Sequence, residues 1–166
     1  MGASTESNVE IRVLGLGSEI LADDAFGILA AREVKRLFPR QVEVVCSSSA
    51  GFGLLEDVLG ASHLMVVDTI VTGHAKPGTI YVFSVDRLQM PPGGSPHFVG
   101  LCEVLALARK LHLATPEQTT VIAVEASDCT TVGGPIHPDV RLAIPAVVEL
   151  IGRLLRHGPS RRAARA

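Results

Sequence analysis

Short apolar runs alternate with longer amphipathic segments along this chain, and that alternation limits the fold more than any other feature. The runs near 10–15, 42–47, 63–68, 79–84 and 119–125 are rich in Val and Ile and have the length of strands. The segments near 24–38, 52–59, 97–113 and 138–156 carry apolar residues at helical spacing. Such a succession predicts an α/β three-layer sandwich, with a mostly parallel, five-stranded twisted sheet flanked by helices. The chain has 166 residues, close to the ~150 expected of one domain and enough to bury a core. We expect a flexible N-terminus over 1–9, a single α/β domain over 10–156 and a basic flexible tail over 157–166. In that tail Arg161, Arg162 and Arg165 follow Gly158-Pro159, a composition that favours solvation over packing.

The first strand ends in glycines, Gly15 and Gly17, and a helical pattern opens at Asp23-Asp24 with Phe26, Ala30, Val34, Leu37 and Phe38 on one face. Asp23 is expected to cap that helix. Asp24 then lies at the carboxyl end of the first strand, where open α/β sheets place their sites. Two other polar residues fall at equivalent places. The run Leu64-Met-Val-Val-Asp68 is a buried-type strand ending in an aspartate, and Ser95-Pro96-His97 opens a helix carrying Phe98, Leu101, Leu105 and Ala108. Ser95 fits an N-cap and Pro96 the first helical position. His97 in the first turn is then disfavoured as an imidazolium and available as a ligand. Singly, each residue has an ordinary structural role. Together, Asp24, Asp68 and His97 would bring two carboxylates and an imidazole to one cleft, a set that holds a divalent transition ion and leaves positions open.

Composition narrows the alternatives. The chain is 47% hydrophobic and 19% charged, which describes a globular protein. A net charge of −2 gives no case for nucleic acid, and a tRNA-hydrolysing relative of similar architecture would need a basic patch. No apolar run reaches the ~20 residues of a membrane helix. Met1-Gly-Ala-Ser-Thr-Glu-Ser-Asn lacks the basic and apolar regions of a signal peptide. Cys46, Cys102 and Cys129 have no paired spacing and read as reduced thiols of a cytoplasmic protein. We expect Cys46, ending the second strand, to be a buried structural thiol, since no base partner accompanies it. The glycines invite a dinucleotide-binding reading. Ile20 stands where that motif needs its third glycine, and no acidic residue ends the second strand to hold a ribose.

Several motifs, in this order, resemble the hydrogenase maturation endopeptidases. They are Gly15-Leu-Gly-Ser-Glu-Ile-Leu-Ala-Asp-Asp-Ala-Phe-Gly27, Ala50-Gly-Phe-Gly-Leu-Leu55, Val66-Val-Asp-Thr-Ile70, Pro77-Gly78, Ser95-Pro-His97 and Gly133-Gly-Pro-Ile-His-Pro-Asp-Val140. The likeness runs from about residue 11 to about residue 150. It implies a metal-dependent aspartic/histidine site at Asp24, Asp68 and His97, serving both as the catalytic set and as the contacts to nickel. It further implies removal of a C-terminal extension from the large-subunit precursor of a nickel–iron hydrogenase after nickel insertion. The nickel would be supplied by the substrate, with zinc or cadmium able to substitute at the site. The protein is expected to be cytoplasmic and monomeric, with no membrane partner. The chain departs from the family pattern at Ser18, where Asn is usual, at Asp24, where many members have glutamate, and at Cys46, where many have aspartate. It departs again at Val124-Glu-Ala126, where the strand usually ends Gln-Pro. The alternative function is a nickel-binding chaperone or sensing module without proteolysis.

Overall fold

The computed structural model describes residues 9–85 and 96–157, excepting the side chains of 96–99. The expectations for the N-terminal segment, the Gln89–Ser95 loop with its Ser95 cap, and the basic tail after His157 lie outside the described residues.

Five strands form one sheet in the order β2-β1-β3-β5-β4. They are β1 (Val9–Leu16), β2 (Glu43–Ser47), β3 (Ala61–Ile70), β4 (Ile80–Ser84) and β5 (Gln118–Glu125). All neighbours are parallel except β4, which runs antiparallel to β5 at one edge. The helices are α1 (Phe26–Leu37), α2 (Leu55–Val58), α3 (Pro96–Lys110) and α4 (Pro138–His157). This is the expected mostly parallel α/β sandwich.

The central strands are buried on both sides, which explains their near-continuous apolar sequence. Alternation along each strand divides their side chains between two cores. Val13, Met65, Val67, Ile122 and Val124 face α1 and α4, meeting Phe26, Ala30, Val34, Val147 and Ile151. Leu14, Leu16, Leu64, Val66, Ile70, Val121 and Ala123 face the opposite layer, meeting Leu54, Val58, Leu101, Val104 and Leu105. Fully burying each such side chain contributes about 1.5–3 kcal/mol.

The chain leaves β1 toward β2 on one side and, after β2, returns to place β3 on the other side of β1. The carboxyl ends of β1 and β3 therefore flank the switch point where α/β sheets open a crevice. The orientation of α3 follows from its two ends. A Cβ on Gly100 would stand 2.7 Å from the backbone nitrogen of Gly51, just past β2. Beyond the helix, the carbonyl of Ala114 accepts the Gly60 N–H at 2.9 Å, just before β3. The helix thus runs against the parallel strands, with its first turn at their carboxyl edge.

Three local expectations are corrected. The first helix does not open at Asp23 with a side-chain cap. A 3₁₀ turn over Ala22–Ala25 precedes α1, and its cap position, Leu21, makes no side-chain hydrogen bond. The second helix shrinks to a 3₁₀ turn over Gly51–Leu54 and the single turn of α2, because glycines at 51 and 53 weaken helical propensity there. Cys46 is exposed, because β2 is an edge strand and lacks a neighbour on one side.

Candidate active site at the carboxyl edge of the sheet

Two glycines set the height of Asp24 above the sheet. Gly17 has φ +136°, and a Cβ there would fall 1.9 Å from the carbonyl oxygen of Asp24. A Cβ on Gly27 would fall 2.1 Å from the carbonyl oxygen of Leu16 and 2.5 Å from that of Val67. Only glycine lets α1 and its leading turn sit directly on the ends of β1 and β3.

Asp24 and Asp68 are both buried, with 8% and 0% of their surface exposed. Thr69 joins them. Its backbone N–H donates to Asp68 Oδ1 at 2.7 Å, and its hydroxyl donates to Asp24 Oδ1 at 3.4 Å. Strand parity makes this linkage work. Asp68 lies on the face of Val66 and Ile70, toward the α3 layer, while Thr69 lies on the face of Val67, toward α1. The structure therefore brings two of the three expected site residues to one place. The third, His97, belongs to the first turn of α3, at the same sheet edge and in the layer that Asp68 faces. Its side chain lies outside the described residues. Among those residues, no group of three His, Cys, Asp or Glu side chains is arranged to hold a metal.

Asp23 does something the sequence did not disclose. Its carboxylate accepts the N–H groups of Ser127 at 2.8 Å, Asp128 at 3.0 Å and His137 at 2.6 Å, and its own N–H donates to the Asp128 carbonyl at 2.9 Å. It ties the loop after β5 and the entrance to α4 onto the segment that carries Asp24. The same seam continues as a β-bridge between Leu21 and Val132, and the Gly133 N–H donates to the Ile20 carbonyl at 2.7 Å.

Glu125 is a second buried anchor. It accepts from the Thr72 N–H at 2.9 Å, the Gly73 N–H at 3.0 Å, the Thr72 hydroxyl at 2.7 Å and the Tyr81 hydroxyl at 3.0 Å. Burial alone would push its carboxyl up, but the hydrogen bonds from Thr72, Gly73 and Tyr81 outweigh it and hold the group below the usual range. It fixes the turn leaving β3, immediately after Asp68 and Thr69. A glutamate ending a buried strand was the available signal for this role.

Cys129 also belongs to this neighbourhood. Its Sγ lies 3.5 Å from the Thr69 hydroxyl. Burial, reinforced by the negative charges of Asp24, Asp23 and Asp68, pushes its thiol up to about 11 despite the Thr69 hydrogen bond. A thiol so raised is protonated at neutral pH and a poor nucleophile. Cys46 is likewise raised, chiefly by partial burial, and its Sγ lies 4.0 Å from the Ile28 carbonyl. Neither cysteine has the lowered pKa of a catalytic thiol. Asp128, by contrast, stays ionised, because hydrogen bonds from Thr131 and Thr130 hold its carboxyl well below the usual range.

A parallel sheet whose carboxyl edge gathers buried acids at the switch point is the build of an α/β protein with its site between β1 and β3. Comparison with known proteins places it among the proteases. The family model described as hydrogenase maturation protease matches residues 27–154. The Hydrogenase 2 maturation protease of Escherichia coli is 32% identical over 120 residues, covering 70% of this chain and 73% of that protein. The hydrogenase expression/formation protein HupD of Rhizobium leguminosarum is 33% identical over 152 residues, covering 88% and 74%. The solved hydrogenase maturating endopeptidase HybD from E. coli superposes with a TM-score of 0.74 at 27% identity, covering 90% of this chain and 94% of that one. The chain belongs to the hydrogenase maturation protease family.

Proposed function

We propose that this protease removes the C-terminal extension of a nickel–iron hydrogenase large-subunit precursor after nickel insertion, with Asp24, Asp68 and His97 as its nickel contacts and catalytic set. The observation that carries the assignment is the Asp68–Thr69–Asp24 linkage at the switch point, beside the first turn of the helix that contains His97. The precursor would present its nickel, bound through thiolates, to this edge. Two carboxylates offset the charge of a divalent ion, and a neutral imidazole adds a nitrogen ligand. The substrate's metal is then the recognition signal, because a precursor without nickel offers nothing for the acidic pair to neutralise. Zinc and cadmium accept the same donor types and would compete for the site. Asp24 retains some exposure and Asp68 none, so a substrate meets Asp24 first and reaches Asp68 only through local opening.

The test is incubation of the protein with nickel-loaded and nickel-free precursor, followed by mass measurement of the large subunit. Shortening of the loaded form alone is the expected result. Binding of nickel or precursor without shortening would establish the chaperone or sensing module instead. Processing by a His97→Ala variant at the normal rate would show that the set of three is wrong.

A further inference from the structure

Among the described residues, nine large apolar side chains are exposed, and four of them stand on the loops that leave the parallel strands at their carboxyl ends. Ile20 follows β1, Phe52 follows β2, Val71 follows β3 and Val132 lies on the loop after β5, with exposures of 64, 72, 47 and 73%. The other five sit elsewhere: Leu37 ends α1, Val82 is on the edge strand β4, Leu111 and Leu113 follow α3, and Leu142 is on α4. Exposed apolar side chains scattered singly need no explanation, but a set contributed by four separate loops around one crevice does.

We propose that Ile20, Phe52, Val71 and Val132 form an apolar rim that grips the precursor polypeptide on either side of the metal centre delivered to Asp24 and Asp68. The inference rests on the protease reading above and adds the chemistry of its substrate: apolar side chains flanking the metal centre. Charge decides between this occupant and a second copy of the chain. The four loops leave the same sheet edge that carries Asp24 and Asp68, and the ionised Asp128 stands on one of them. A symmetric dimer through this face would set Asp24, Asp68 and Asp128 of one copy against the same carboxylates of the other. A polypeptide that presents a metal ion with open positions gives the Asp24 and Asp68 carboxylates something to coordinate, which a second copy does not, and meets the rim with matching apolar groups. The rim is also held in place. The Leu21–Val132 bridge and the three amides bound by Asp23 pin the Ile20 and Val132 loops together, and Glu125 pins the turn that follows Val71. Such preorganised loops lose little freedom on binding.

Serine replacements at Phe52 and Val132 test the rim, with Leu142→Ser as the control of equal exposure on α4. All three are surface changes that leave the fold intact. With nickel-loaded precursor, the rim variants are expected to raise KM about tenfold with kcat unchanged, the sign of lost uniform binding, while Leu142→Ser matches wild type. Wild-type KM in both rim variants overturns the rim and leaves the protease reading standing. If wild type does not shorten the precursor, the protease reading fails, and equilibrium binding of loaded precursor to the same variants still decides the rim. A shift of the free protein to a smaller sedimenting species in the rim variants would assign the face to self-association and overturn the proposal.

Discussion

At the amino-terminal side of the sheet, Arg12 of β1 is a buried cation answered wholly by its own fold. It pairs with Glu43 and donates to the backbone carbonyls of Asp57 at 2.9 Å and Leu59 at 2.5 Å. Close by, burial holds the His63 imidazole below its usual range, with its Nε2 3.0 Å from the Thr120 hydroxyl. At the carboxyl edge the buried charge is negative: Asp23, Asp24, Asp68 and Glu125. Two of these, Asp23 and Glu125, take backbone amides from the loops and act as anchors. The contrast separates charge that closes a structure from charge that is gathered for use. Both ends contain buried ions, so burial alone identifies no site. The partners distinguish them: Asp23 and Glu125 bind amides of loops they hold in place, whereas Asp24 and Asp68 meet through Thr69.

The largest expected effect is at the carboxyl edge. Asp24→Asn should abolish precursor shortening in the mass assay while the melting temperature stays close to wild type. A variant that cleaves normally would remove Asp24 from the site. The next separates the two edges. Asp23→Ala should cost about 3 kcal/mol, because it strands three backbone N–H groups that now bind a carboxylate, and it should also slow processing by releasing the loop beside Asp24. Arg12→Ala should destabilise to a comparable degree, about 2–3 kcal/mol, yet leave kcat unchanged at temperatures where the variant is folded. Equal kcat losses in the two variants would erase the distinction between the edges.

A smaller effect appears in the pH dependence of stability. His63 is held below its ordinary 6.5 by burial, so the unfolded chain binds its proton first. Its contribution is complete above 6.5 and is lost as pH falls from there through the lowered value. Glu125 is held below 4.5, so its contribution is present above that value and is lost only in stronger acid. Thermal melts against pH should therefore show His63→Gln flattening the upper limb of the decline and leaving the lower one. The smallest effect is expected from Cys46→Ala. The residue is exposed, so stability should change by no more than ~0.5 kcal/mol and cleavage should persist. Complete inactivity of a folded Cys46→Ser variant would instead support a thiol mechanism and overturn the metal reading.

The sandwich was legible because its signals are local. Val- and Ile-rich runs between helical periods announce buried parallel strands, and the placement of Asp24 and Asp68 follows from where those runs stop. The role of Asp23 was not legible. Its partners are 104, 105 and 114 residues away, and no local pattern marks an acid whose bonds go to distant backbone. Helix capping was the best local explanation, and the long-range amides displaced it. The role of Thr69 is hidden for a related reason. A threonine after a strand-ending aspartate looks like filler until the parity of β3 turns its hydroxyl toward Asp24. The exposure of Cys46 is not legible locally, because burial of the second strand depends on sheet order, which places β2 at an edge.

Since Asp68 and Thr69 face opposite layers of the sheet, the carboxylate pair straddles the rim of the sheet and belongs to neither helical layer alone. A chain with only the α1 and α4 layer docked would have Asp24 seated but the Asp68 face uncovered, and the reverse holds with only the α3 layer in place. Completion of the pair is therefore a report of full assembly.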